Sequence, residues 1–167
     1  PQPHQADIFR HICRLEHFRQ FRRRARVFLD HPDDFPAEFF DKRVYHARRR
    51  RCDADEIAEA VRLIRASRRP FIVAGGGVIY SGAERALAAF AHKTGIPVGS
   101  TQAGTGALLD AHASCFGGVG TTGGLAANRA AEQADLVLVL GSRLSDFTTA
   151  SKTQFQAAGV RFVVVNV

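Results

Sequence analysis

PFIVAGGGVIYSGAER, residues 70–85, sets an unbroken apolar run against three consecutive glycines. Phe71, Ile72, Val73 and Ala74 show no polar alternation, the pattern of a strand covered on both faces. Gly75, Gly76 and Gly77 lack Cβ atoms, so the chain can turn sharply there and a ligand can approach the backbone. Ser81 and Glu84 have capping-box spacing and predict a helix from about Gly82 to Thr94, with Leu87, Phe90 and Ala91 inward and Gly95 as terminator. A helix start of this kind presents free N–H groups and partial positive charge, which favours phosphates and carboxylates. The three glycines lack GxGxxG spacing, so these residues alone leave two readings open: a ligand-binding turn or merely a tight one.

The pattern repeats outward. Asp53 and Glu56 also have capping-box spacing, and Ile57, Val61 and Ile64, widened by Ala60 and Leu63, predict a helix from about Ala54 to Ser67. Ile96–Val98 reads as a second strand, followed by the loop STQAGTG (100–106) and a helical turn at 107–110. CFGGVGTTGG (115–124) reads as irregular because of its glycines, and helix resumes at Leu125–Gln133. DLVLVLG (135–141) and RFVVVNV (161–167) are buried strands. Strands alternating with helices predict an α/β fold, a parallel doubly wound Rossmann-like sheet. The glycine loops at 75–77, 101–106 and 141–143 follow strand carboxyl ends, where open α/β sheets bind ligands, and the patch at 117–120 can reach the same rim. Against this stands the reading that the glycines serve chain turning alone.

Composition bounds the alternatives. The 167 residues are 46% hydrophobic, with 13 Phe and neither Trp nor Met. A single domain of this size can bury a core. The run ending at Val167 suggests a domain cut short at its carboxyl end. No apolar stretch approaches the length of a membrane span, and the polar start is unlike a secretory signal, so a cytoplasmic protein is expected. Cys13, Cys52 and Cys115 form no CxxC pair, which argues against a disulfide framework or a zinc site. Of the net charge of +7, residues 1–52 carry +6, from 13 Lys or Arg against 7 Asp or Glu. Arg22, Arg23, Arg24, Arg26 and Arg48–Arg51 could touch nucleic-acid phosphates, yet no zinc finger, RNP-like aromatic spacing or helix-turn-helix accompanies them. Nucleic acid is therefore not the expected partner. Residues 1–52 are read as a basic arm, either an amphipathic helix or poorly ordered, with an extended connector; 53–167 are read as the domain.

Catalytic patterns are missing. None of the seven histidines has a motif-spaced partner, and GxSxG, HExxH and a Walker A lysine loop are all absent. No catalytic residue and no metal ligand is assigned. Arg143 and Asp146, after the DLVLVLG strand, form the most suggestive polar pair. The Arg could hold a pyrophosphate or carboxylate in bidentate fashion while the Asp orients it, or the two could simply pair and fix the loop.

Taken in order, RRPFIVAGGGVIYSGA, TGIPVGSTQAGTGAL, GGVGTTGGLAANRAAEQADLVLVLGSRLSDFTTAS and RFVVVNV resemble the central domain of thiamine diphosphate-dependent enzymes of the acetolactate synthase type. Phe39, Phe40, Lys42, Arg43 and Val44, with TQAGTG and DFTTASKTQFQ, resemble the branch that hydrolyses trihydroxycyclohexane-1,2-dione in myo-inositol catabolism. The resemblance covers residues 35–167; residues 1–30 do not match the pyrimidine-domain tail expected there. It implies a six-stranded parallel sheet of the NAD/FAD-binding-like class between a pyrimidine domain and a diphosphate domain, in a parent that is at least a dimer. It implies FAD or ADP as the possible nucleotide at this domain, with Gly75, Gly76, Gly77, Thr101, Gln102, Gly104, Gly106, Gly118, Gly120, Thr121 and Arg143 as the matching positions, beside Asp146.

The implied parent reaction is hydrolytic C–C cleavage that opens the ring to 5-deoxy-glucuronate, using thiamine diphosphate and Mg²⁺. The activating glutamate and the Mg²⁺-binding GDG motif belong to the flanking domains, and no GDG occurs in these residues. This chain alone is therefore expected to be catalytically silent. The alternatives are a FAD-binding central domain of an acetolactate synthase-like enzyme and a non-catalytic nucleotide module. A sirtuin-like NAD module would need a catalytic His and an acidic-Asn loop that are not found.

Overall fold

A computed structural model describes residues 26–30 and 54–166. The elements are β1 (Arg26–Asp30), α1 (Ala54–Ala66), β2 (Pro70–Ala74), α2 (Gly76–Tyr80), α3 (Glu84–Thr94), β3 (Val98–Ser100), a 3₁₀ turn (Gln102–Gly104), β4 (Cys115–Gly118), α4 (Leu125–Gln133), β5 (Leu136–Leu140) and β6 (Arg161–Asn166). They build one sheet in the order β1-β6-β5-β2-β3-β4. β2 to β6 are mutually parallel, so their carboxyl ends share one edge.

The apolar runs are unbroken because both faces are covered. Along β2 and β5, Ile72, Ala74, Leu136, Leu138 and Leu140 enter one core with α1, α2 and α3. Phe71, Val73, Val137 and Val139 enter the other, against α4 and the irregular segment that carries Leu144, Phe155 and Val160. On α1 the innermost residues are Ile57, Ala60 and Leu63, with Val61 and Ile64 half-buried. Leu87, Phe90 and Ala91 face inward as expected, and Gly95 ends α3 at φ 69° with its N–H bonded to the Ala91 carbonyl.

Several expectations are corrected. Ser81 does not cap the following helix: the glycines themselves open the five-residue α2, and Ser81 Oγ donates back to the Gly77 carbonyl at 2.7 Å. α3 starts at Glu84 behind Ala83, with no side-chain cap. The helical turn expected at 107–110 lies instead at Gln102–Gly104, where Thr101 Oγ1 accepts from the Gly104 N–H. The second strand is Val98–Ser100 rather than 96–98, although the Pro97 carbonyl accepts from Ile72 N–H at 2.9 Å. Cys115–Gly118, read as irregular, forms edge strand β4, which pairs with β3 across a register shift at Val98/Gly99; the partner ladder overrides the glycine content. Within the basic arm, Arg26–Asp30 is an extended strand antiparallel to β6, so the sixth strand of the sheet is antiparallel, unlike the all-parallel sheet that the resemblance implied. Asp53, Cys13 and Cys52 lie outside the described residues.

After Asp146 the chain makes a left-handed turn, with φ of 46°, 54° and 67° at Ala150, Ser151 and Lys152. Each such residue other than glycine costs roughly 1–2 kcal/mol. Ala150→Gly is expected to raise stability by about 0.5–1 kcal/mol once the entropy of glycine in the unfolded chain is set against that relief, read as a higher urea midpoint at unchanged slope.

Candidate functional site

The shared carboxyl edge gathers four turns into a rim. Gly75 N–H donates to the Leu140 carbonyl at 2.8 Å, Gly77 N–H to the Gly141 carbonyl at 2.9 Å, and Thr101 N–H to the Ala74 carbonyl at 2.9 Å. The turns after β2, β3 and β5 therefore form one hydrogen-bonded body. Their glycines are required by that closeness: a Cβ on Gly75 would overlap the Gly141 carbonyl, one on Gly77 would lie 2.7 Å from Gly141 Cα, and one on Gly104 would overlap the Ala74 carbonyl. Gly76 is buried beneath Ala103, while exposed Gly106, at φ 92°, serves the turn itself.

The turn after β4 joins this body at two points. Gln102 Nε2 reaches Thr122 Oγ1 at 3.4 Å, and the Thr121 N–H donates to the Phe147 carbonyl at 2.9 Å, with Thr121 Oγ1 donating to the same oxygen at 3.3 Å. Gly118 is exposed. Gly120 is buried at φ 101°, where a Cβ would overlap the Phe147 carbonyl.

Arg143 and Asp146 both lie on this rim and are exposed, but they do not pair with each other among the described residues. Asp146 Oδ2 instead accepts from Ser151 Oγ at 3.2 Å. The loop is held by hydroxyls: Ser145 Oγ and Thr148 Oγ1 are 3.2 Å apart, and Thr149 Oγ1 donates to the Asp146 carbonyl at 3.2 Å. Arg143 thus keeps its fork of donors free of any acidic partner among the described residues. The backbone N–H groups of Gln102, Ala103 and Thr122, all exposed residues, likewise have no acceptor among the described residues. Chemically, the backbone N–H groups and the Arg143 guanidinium are donors that can hold an anion, with the Asp146 carboxylate beside them.

Sequence reasoning missed Asn128, whose amide bonds Gly120 in both directions. The available signal was an asparagine, a poor helix former, among alanines directly after a glycine patch. Among the described residues no cluster of three His, Cys, Asp or Glu could hold a metal, and no helix is long and apolar enough to cross a membrane. His92 is exposed on α3 as expected, its ring edge-on to that of His112 with centroids 6.3 Å apart.

A groove of about 390 Å³ lies at the opposite, amino edge of the sheet, between Arg68, Arg69, Thr94, Gly95 and Gln133. Three helices end there, at Ala66, Thr94 and Gln133. The partial negative charge of those carbonyl ends offsets the two arginines, which disfavours an anion. The rim is the better candidate.

Residues 57–167 match the family model described as thiamine pyrophosphate enzyme, central domain. The chain belongs to that family. It is 47% identical over 133 residues to the 3D-(3,5/4)-trihydroxycyclohexane-1,2-dione hydrolase of Geobacillus thermodenitrificans, which is 80% of this chain and 21% of that protein. The protein of the same name in Clostridium perfringens is 47% identical over 134 residues, again 80% of this chain and 21% of the relative. The chain thus spans about a fifth of the length of these relatives. A solved structure of a thiamin diphosphate-dependent enzyme from Mycobacterium smegmatis is 28% identical, with a TM-score of 0.49 over 57% of this chain and 18% of that one. In these thiamine pyrophosphate enzymes the central domain works beside other domains, and the rim just described belongs to that central layer.

Proposed function

We propose that residues 54–166 are the central layer of a thiamine diphosphate-dependent hydrolase that opens the trihydroxycyclohexane-1,2-dione ring to 5-deoxy-glucuronate in the cytoplasm. The observation that carries this reading is the 47% identity to such hydrolases over 80% of the chain. Bound thiamine diphosphate supplies a nucleophilic carbon and an electron sink. The described residues do not fit that cofactor, since they bring no acidic cluster together for its Mg²⁺. Thiamine diphosphate and Mg²⁺ are accordingly assigned to pyrimidine and diphosphate domains that would flank this one, in an enzyme of at least two subunits. Tyr80 and Phe147, exposed at 69% and 50%, and Leu125 at the start of α4 put apolar area on or next to the rim, where such domains would dock.

The rim's own role in this reading is to hold the diphosphate of ADP or FAD. Gly75, Gly76, Gly77, Gly104 and Gly120 let the turns close on one another, Gly106 turns the chain, Gly118 ends β4 at the rim, and Thr101, Gln102 and Thr121 tie the turns together. The free N–H groups and Arg143 face the anion, and Asp146 orders the loop that carries Arg143. ADP is expected to bind the full chain, and Arg143→Ala is expected to weaken it about tenfold, the loss of one charge-assisted contact of about 1.4 kcal/mol. Calorimetric titration reads both. Absence of binding by ADP and FAD at millimolar concentration would remove the nucleotide role.

The hydrolase reading is tested separately by grafting residues 57–166 into the complete Geobacillus enzyme in place of its corresponding stretch. Ring opening should persist in the chimera. A folded, thiamine-loaded chimera that is inactive on the dione would overturn the assignment, and a flavin absorption band in the purified protein would favour the synthase branch instead.

A further inference from the structure

We infer that Asn128 is a positioning residue of the rim, one that fixes the turn after β4 so that its exposed backbone faces the bound anion; this rests on the rim's proposed role in holding a nucleotide. Asn128 sits on the second turn of α4 and is half-buried. Its Oδ1 accepts from the Gly120 N–H at 2.9 Å and its Nδ2 donates to the Gly120 carbonyl at 3.0 Å. One side chain thereby pairs with both backbone groups of one residue, as an adjacent strand would.

The pairing matters because of where Gly120 lies. At φ 101° it is in a conformation that glycine tolerates and other residues rarely adopt, and the Phe147 carbonyl occupies the place of a Cβ. The next residue, Thr121, donates twice to that same carbonyl. Asn128 therefore ties α4 to the turn after β4, and the turn in its stead ties to the loop that carries Arg143 and Asp146. A Cβ on Gly123 would lie 2.8 Å from Asn128 Oδ1, so the turn wraps closely around the amide. Thr122, whose N–H has no acceptor among the described residues, lies inside this wrapped segment.

Helix formation does not explain the residue. Asn is a weaker helix former than Ala, which fills positions 126, 127, 130 and 131 of the same helix. An aspartate could accept from the Gly120 N–H but would set an oxygen against the Gly120 carbonyl, and an apolar side chain would leave both groups unpaired.

The test uses the full chain with Asn128→Ala and Asn128→Asp, and Arg129→Ala as an exposed neighbour. Amide exchange is followed in peptides covering 118–124 and 136–140, and ADP affinity is measured alongside the melting temperature. Both Asn128 variants should exchange at least tenfold faster at 118–124 while 136–140 stays within twofold. ADP affinity should fall at least fivefold, out of proportion to any change in melting, and Arg129→Ala should match the parent chain. Unchanged exchange at 118–124, or an equal rise throughout the sheet, would overturn the role of Asn128. If the parent chain binds no ADP while the local exchange effect stands, the nucleotide reading fails and Asn128 remains the holder of the turn without a ligand to serve.

Discussion

Phe71→Ala is expected to destabilise the chain by about 3–5 kcal/mol, the range for removing a fully buried aromatic ring. Phe71 is 1% exposed in the middle of the sheet, on the face where irregular chain and a single helix, rather than several helices, provide the cover. Its ring fills space left by Gly99, where a Cβ would lie 2.6 Å from Phe71 Cζ. Backbone lies on the far side of that space, so the cavity cannot collapse easily, which places the cost toward the upper end of the range. A domain whose total stability lies in the usual span of about 5–15 kcal/mol would lose a large part of it. Urea unfolding should show a much lower midpoint. Tyr80→Ala, at a residue 69% exposed, should fall within about 0.5 kcal/mol of the parent. A small effect at Phe71 would mean that this face is not packed as described.

Gly104→Ala comes next, with an expected loss of about 3 kcal/mol, the upper part of the range for forcing extra atoms into a packed site. The added methyl would overlap the Ala74 carbonyl and lie 2.8 Å from Ala74 C and 2.9 Å from Gly75 Cα. All three are backbone atoms, so no flexible side chain can swing aside. Either the 3₁₀ turn or the end of β2 must shift, and the Thr101–Ala74 hydrogen bond lies between them. The variant should therefore lose ADP binding together with stability. Gly118→Ala supplies the contrast, because its methyl would meet nothing closer than 3.8 Å. A comparably small effect of the two substitutions, measured by thermal unfolding, would contradict the close packing of the turns.

Much of this architecture was legible because it follows from periodicity. The helix expected at Leu125–Gln133 coincides with α4, and DLVLVLG can be little else than a strand buried on both sides. The common edge was legible as well, since parallel strands joined by helices must end their carboxyl termini together. What escaped is decided by contacts distant in sequence. Ser81 has the spacing of a cap, yet its hydroxyl turns back onto α2, a helix too short and too rich in glycine to read from propensity. Cys115–Gly118 becomes a strand only through its partner β3. For the rim, the sequence showed where glycines cluster. It did not show that Gly75, Gly77 and Gly104 are needed because the turns press on one another, nor that Asp146 bonds Ser151 and leaves Arg143 without it. Asn128 was overlooked because its partner, Gly120, carries no side chain to advertise the pairing.

The antiparallel pairing of β1 with β6 runs without a gap from Arg26↔Asn166 to Asp30↔Phe162. At the other margin lies β4, four residues long, with two glycines and a break in register. One flank of the sheet is thus occupied by a strand from far earlier in the chain, and the other is too short and irregular to template a foreign strand. Growth of the sheet from molecule to molecule is discouraged at the β4 margin, whereas at the opposite margin β1 covers β6 and itself becomes the outer strand.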